Sequence, residues 1–189
     1  MASRPAPRRL IVGVSGASGA LYAIRLLEAI RQLPDAEADL IITPAAHLTI
    51  EMETDWSVAR VRALAARVYA DDDLAAPIAS GSVQTAGMVV VPCSIKTLSA
   101  IAHSYAATLL TRAADVTLKE GRPLLLVVRE TPLHLGHLRL MTQVAEMGGI
   151  IFPPAPALYG RPQTVQELID ASVGRILARL GFANPLYPR

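Results

Sequence analysis

What the chain has little of narrows it first. One cysteine, Cys93, stands in 189 residues, so no intrachain disulfide can form and the chain suits a reducing, cytoplasmic compartment. No apolar run approaches the ~20 residues that a membrane span requires; Pro123 to Val128 has only the length of a buried strand. Met1 to Arg9 carries three arginines and two prolines and passes directly into strand-like residues, with no apolar stretch of signal-peptide type. Residues 1–9 therefore read as a short disordered tail, and residues 10–189 as a single domain. Net charge is small as well: 18 basic residues stand against 16 acidic ones for a formal +2, and the basic residues are scattered, which argues against a nucleic-acid partner. Lysine is nearly missing, because Lys96 and Lys119 stand beside sixteen arginines. A chain that defaults to arginine invites the question of why it keeps a lysine at those two places.

What is present is apolar residue. The hydrophobic share is 52% and the mean hydropathy +0.37, more than one core of this size requires. The excess predicts burial between subunits, hence a homo-oligomer, since obligate interfaces resemble divided cores. Along the chain, short apolar runs alternate with segments of helical spacing. Strands are predicted at Leu10–Val14, Asp39–Thr43, Met88–Val91, Pro123–Val128 and Ile150–Phe152. Helices are predicted at Ala20–Ile30, Ala45–Glu53, Ser57–Val68, Ile95–Ala102, Leu109–Glu120, Leu135–Met147 and Val165–Leu180. Asp71–Asp73 reads as a solvated turn. Strands that are apolar throughout and alternate with helices predict a doubly wound α/β fold, a parallel sheet between two helical layers. Ligands in such folds sit beyond the carboxyl ends of the strands.

The loops after the strands are therefore the places to look. Ser15-Gly16-Ala17-Ser18-Gly19 permits a tight turn, and the helix N-terminus behind it favours an anion. It is neither a dinucleotide fingerprint nor a phosphate-binding P-loop. A dinucleotide site also wants an acid at the end of the second strand, where Thr43 stands before Pro44. Pro92-Cys93-Ser94-Ile95-Lys96-Thr97 offers small hydroxyls at a helix start, suited to capping or to a phosphate; Cys93 reads as packing. Arg129-Glu130 follows the fourth strand, and the pair can hold an anion and move a proton. Tyr159, Arg175 and Lys119 are candidates for a second anion site, although spacing alone does not bring them together. His134 and His137 lack a third ligand at metal-binding spacing, and read as capping or surface residues.

Four segments taken together carry a resemblance: Val14-Ser15-Gly16-Ala17-Ser18-Gly19-Ala20, Pro92-Cys93-Ser94-Ile95-Lys96-Thr97-Leu98-Ser99, Arg112-Ala113-Ala114-Asp115-Val116-Thr117-Leu118-Lys119-Glu120, and Arg129-Glu130-Thr131-Pro132-Leu133. In order and approximate spacing the set resembles the UbiX-type flavin prenyltransferases, from Leu10 to about Leu180. The resemblance implies a flavodoxin-like, Rossmann-like sheet in a homo-oligomer, typically a dodecamer. It implies that dimethylallyl phosphate is joined to reduced FMN without a metal. The prenylated FMN would then pass to a UbiD-type decarboxylase of ubiquinone biosynthesis or aromatic acid metabolism. By matching position, it implies that Gly16, Ala17, Ser18, Thr43, Ser94, Ile95, Lys96, Thr97 and Arg129 hold FMN. Lys119, Tyr159 and Arg175 would grip the prenyl phosphate. Ser18, Glu53 and Glu130 would lie at the reacting centre, with Ser18 orienting the flavin N5 and Glu130, or the departing phosphate, taking up a ring proton. Thr43 and Pro44 stand where the family usually has serine and lysine. Two other readings compete. Flavoproteins that decarboxylate peptidyl-cysteine or phosphopantothenoylcysteine carry Pro-Ala-Ser-Ala-Asn-Thr where this chain has Pro92 to Thr97, which disfavours that chemistry. A non-catalytic FMN carrier would need no prenyl-phosphate grip.

Overall fold

In a computed structural model that describes residues 6–186, six strands form one parallel sheet in the order β3-β2-β1-β4-β5-β6. The chain runs β1 (Arg8–Val14), α1 (Ala20–Gln32), β2 (Ala36–Ile42), α2 (Pro44–Glu53), α3 (Val58–Arg62), β3 (Arg67–Tyr69), β4 (Gly87–Cys93), α4 (Ile95–Ala102), α5 (Leu109–Lys119), β5 (Leu124–Val128), α6 (Leu135–Glu146), β6 (Ile150–Ile151) and α7 (Val165–Arg179). With the three-residue edge strand β3 set aside, the remaining five strands follow the flavodoxin-like order. The winding reverses between β1 and β4, which makes their carboxyl ends the switch point where such sheets bind ligands.

The near-continuous apolar strands are buried on both faces, as period-2 alternation requires. Leu10, Val12 and Val14 of β1 pack with α1 and α7 in one core, while Ile11 joins Met88, Val90, α4 and α5 in the other. Helices α1, α2 and α7 thus lie on one face of the sheet, and α4, α5 and α6 on the opposite face. Among the described residues no helix is long and apolar enough to cross a membrane.

Two expectations are corrected. The strand begins at Arg8 rather than Leu10, so residues 8 and 9 are not tail; residues 1–5 lie outside the described residues. Arg8 stacks over the Phe182 ring at 4.0 Å and donates to the Gly181 carbonyl at 2.9 Å. Arg9 donates to Asp39 at 2.8 Å. These partners are distant in sequence, so two arginines among prolines give no local sign of them. The helix expected over Ser57–Val68 ends at Arg62, and Arg67–Tyr69 instead pair with Asp39–Ile41 as an edge strand. Arg67 reaches Glu37 at 2.7 Å and Asp39 at 3.4 Å, and this tertiary pairing overrides the helix propensity of Ala63, Ala65 and Ala66. Asp39 itself is fully buried. Burial pushes its carboxyl up, against the opposing charges of Arg9 and Arg67, and the three side chains tie β1, β2 and β3 together.

Candidate active site

The loop after β1 is folded tightly against its neighbours. A Cβ on Gly16 would lie 2.5 Å from the Ala45 side chain, so no larger residue fits without moving α2. Gly19 has φ 115°, in the left-handed region that glycine favours. The anion expected at the N-terminus of α1 is supplied by the protein. Glu53, the last residue of α2, accepts hydrogen bonds from the Gly19 N–H at 2.8 Å and the Ala20 N–H at 3.0 Å. Burial works to raise the Glu53 pKa. The Gly19 N–H, the Ser18 hydroxyl, the Ala20 N–H and the nearby Arg129 charge together outweigh it and hold the carboxyl below its usual range. The Glu53 carboxylate thus sits against the Ser18 hydroxyl and the N-terminus of α1. Arg129 also acts on Tyr22, whose phenol is pushed up by burial and drawn back by that charge.

The other loops cap their own helices. Thr43 accepts from the Ala46 N–H at 3.3 Å at the start of α2. Pro44 occupies the first helical turn, where its missing N–H costs nothing; that accounts locally for a residue unlike the one common in the family. Ser94 accepts from the Thr97 N–H at 3.3 Å and donates to the Thr97 hydroxyl at 3.1 Å. This leaves the first N–H groups of α4, on Ile95 and Lys96, without an intrahelical acceptor. The N-terminus of α5 is capped by Thr108 through a capping box with Thr111, and by Asp71, whose carbonyl accepts from the Leu109 N–H at 2.6 Å and whose carboxylate accepts from the Leu110 N–H at 3.0 Å. Asp71 thus also reaches α5 from its turn, while Asp72 and Asp73 beside it are exposed. After β5, the Arg129 N–H donates to the Cys93 carbonyl at 3.1 Å, and Glu130 accepts from the Thr131 N–H at 3.0 Å. Cys93 is fully buried and its thiol is pushed up by that burial, so it is packing, as its sequence context suggests.

These loops line an open cavity of about 1400 Å³ at the carboxyl ends of β1, β2 and β4, with Gly16, Thr43, Ser94, Lys96 and Thr97 among its walls. The fold thus brings five of the expected flavin-holding residues to one space. Ala17, Ser18 and Ile95 stand in the same loops without lining it, and Arg129 lies within electrostatic reach of the Glu53–Ser18 pair. The remaining candidates are dispersed. Lys119 ends α5 beside Glu120 and Gly81, at the amino end of the sheet. The seven residues of β4 separate the two ends, or about 20 Å at the usual strand rise. Arg175 lies on the exposed side of α7, on the opposite face of the sheet from α5. Tyr159 is 82% exposed in the turn Leu158–Gly160.

His134 caps α6, its Nδ1 accepting from the Gly136 N–H at 3.0 Å, and its ring lies 3.6 Å from that of His137. Among the described residues no group of three or more His, Cys, Asp or Glu side chains could hold a metal ion. Neither Tyr22 nor Ser15 stands out as a site residue in the sequence. For Ser15 a signal existed, since it is the hydroxyl at the point where the central strand enters the glycine turn.

The family described as Flavoprotein matches residues 3–177. The chain is 57% identical to the flavin prenyltransferase UbiX of Escherichia coli strain K12 over 178 residues, 94% of each protein. The structure of AnUbiX (PadA1) in complex with FMN and dimethylallyl pyrophosphate superimposes with a TM-score of 0.94 at 45% identity, over 97% of each chain. A dodecameric FMN-dependent UbiX-like decarboxylase from E. coli O157:H7 superimposes with a TM-score of 0.93 at 46% identity, over 96% of this chain and 98% of the other.

Proposed function

Because the chain belongs to the Flavoprotein family and, within it, to the UbiX-type flavin prenyltransferases, we propose that its cavity holds reduced FMN and that neighbouring subunits complete a second, prenyl-phosphate site beside it. The chain is a transferase that joins dimethylallyl phosphate to reduced FMN and yields prenylated FMN. The observation that carries the residue assignment is the cavity at the switch point, where Gly16, Thr43, Ser94, Lys96 and Thr97 converge.

The donor set suits a flavin nucleotide. The Ser94–Thr97 turn offers hydroxyls, the first N–H groups of α4 and the ammonium of Lys96, while Thr43 and Gly16 line the opposite wall. The bound flavin supplies a nucleophilic ring nitrogen. The protein's part is to orient, to stabilise charge and to move a proton. Ser18, pinned by Glu53, orients the reacting edge; Arg129 holds the flavin from the β5 side. Glu130, whose carboxylate is not locked onto a helix N-terminus, takes up the ring proton. Lys119, Arg175 and Tyr159 donate to the phosphate as the allylic carbon–oxygen bond breaks.

Within one subunit Lys119 and Arg175 are on opposite faces of the sheet, so one phosphate meets both only if they come from different copies. Exposed apolar side chains fit this: Leu48 and Met52 on α2, and Leu135 and Leu138 on α6, are 64%, 84%, 59% and 46% exposed and have the character of interface residues. A dodecamer like that of the E. coli relative is the assembly we assign. The product would leave for a UbiD-type decarboxylase in the same cytoplasmic compartment, which the lone buried thiol suits. Decarboxylation by this chain itself has little support, since Ile95 and Lys96 stand where the cysteine decarboxylases carry alanine and asparagine.

Released product should restore activity to an apo-decarboxylase of the UbiD type, under anaerobic conditions and with both substrates present. Restoration by FMN alone, or none by the completed reaction, would refute the proposed delivery.

A further inference from the structure

Beyond the paired end of β1, one side chain continues the work of the backbone ladder. The β1–β4 pairing ends at Gly13 opposite Val90, and the register of β4 shifts between Val90 and Cys93. Pro92 has no N–H to offer a neighbouring strand. Here the Ser15 hydroxyl lies buried, 1% exposed. It donates to the Pro92 carbonyl at 2.8 Å and accepts from the Ser94 N–H at 2.8 Å. The Ser15 N–H also reaches the Pro92 carbonyl, at 3.3 Å. One Oγ thus gives the Pro92 carbonyl its shorter hydrogen bond and supplies the acceptor for the Ser94 N–H.

The two loops it joins are the two jaws of the cavity. Ser15 is followed at once by Gly16, Ala17 and Ser18. Ser94 opens the turn to Lys96 and Thr97, and its own hydroxyl is oriented on Thr97. We infer that Ser15 is a positioning residue for the flavin. Its hydroxyl sets the distance between the glycine loop and the N-terminus of α4, and holds Ser94 in its capping geometry before the flavin arrives. The inference rests on the reading of this cavity as a flavin site.

Ser15→Ala removes the hydroxyl, strips the Ser94 N–H of its acceptor and leaves the Pro92 carbonyl only the Ser15 N–H, whereas Ser15→Thr keeps the hydroxyl. Thr117→Val is the control: Thr117 is equally buried and donates to the Ala113 carbonyl at 2.7 Å inside α5, away from either jaw. For Ser15→Ala the Kd for FMN should rise about 10- to 100-fold, the range expected when a polar group is stripped of its partner. The KM for reduced FMN should rise with it, kcat should fall by a smaller factor, and the KM for dimethylallyl phosphate should stay as it is. Ser15→Thr should restore most of the affinity. Thr117→Val should lower the melting temperature yet bind FMN as the parent chain does. Hydrogen exchange at the Ser94 amide, measured without flavin, should quicken in Ser15→Ala alone. Unchanged exchange at Ser94, or equal loss of FMN affinity in Ser15→Ala and Thr117→Val, would overturn the positioning role. A parent chain that does not bind FMN while the Ser94 amide responds would sink the flavin reading and leave the clamp between the loops standing.

Discussion

Oligomers assembled from equal amounts of Lys119→Ala and Arg175→Ala subunits should regain about a quarter of the parent activity, the fraction of sites that draw each intact residue from a different neighbour. Either variant alone should lose on the order of 100- to 1000-fold in turnover, the scale of one lost donor to a charge that develops in the transition state. Lys119 ends a helix that packs on one face of the sheet, at its amino end, and Arg175 lies on a helix of the other face. Helical layers on opposite faces of one sheet stand about 20 Å apart, too far for one phosphate to touch both. A site that needs both residues must recruit them from two copies. The measurement is turnover of co-expressed, differently tagged variants purified as mixed assemblies. Activity no higher than the mean of the two single variants would show that the residues serve the same subunit's site or separate purposes.

Glu130→Gln should lower kcat by roughly 100- to 10,000-fold, the range for loss of a positioned proton acceptor, while the Kd for FMN stays within about twofold of the parent. Two acids flank the Ser18–Arg129 region, and their environments part their roles. Glu53 is held ionised by the Gly19 and Ala20 amides, the Ser18 hydroxyl and the Arg129 charge, against the opposing push of burial; protonating it would cost those bonds. Glu130 gives one oxygen to the Thr131 N–H at the exposed end of β5 and keeps the other for chemistry. Rapid-quench turnover and flavin fluorescence titration separate the two effects. Loss of FMN binding in step with turnover would make Glu130 a binding residue instead.

The parallel sheet was legible because its strands are short apolar runs between periodic helices, and burial on both faces leaves no other pattern. The loops were legible because the sheet's chemistry lies beyond strand ends, where Gly16, Thr43 and Ser94 stand. What escaped depends on contacts between distant residues. Arg67–Tyr69 becomes a strand only because Asp39–Ile41 offers an edge and Glu37 and Asp39 offer partners. Glu53 was legible as an acid near the centre but not as the cap of α1, since 33 residues separate it from Ala20. Lys119, Tyr159 and Arg175 were legible as cations and a phenol in matched motifs. The placement of Lys119 and Arg175 on different sides of the sheet could be known only once the helices were assigned to faces.

The central claim is that this chain makes a new flavin rather than using one. The direct measurement is the mass of the flavin released after the chain is incubated, without oxygen, with reduced FMN and dimethylallyl phosphate. The account predicts a flavin heavier than FMN by one dimethylallyl unit, formed in multiple turnovers and absent when either substrate is omitted. Recovery of FMN at its original mass, with both substrates shown to be bound, would contradict it.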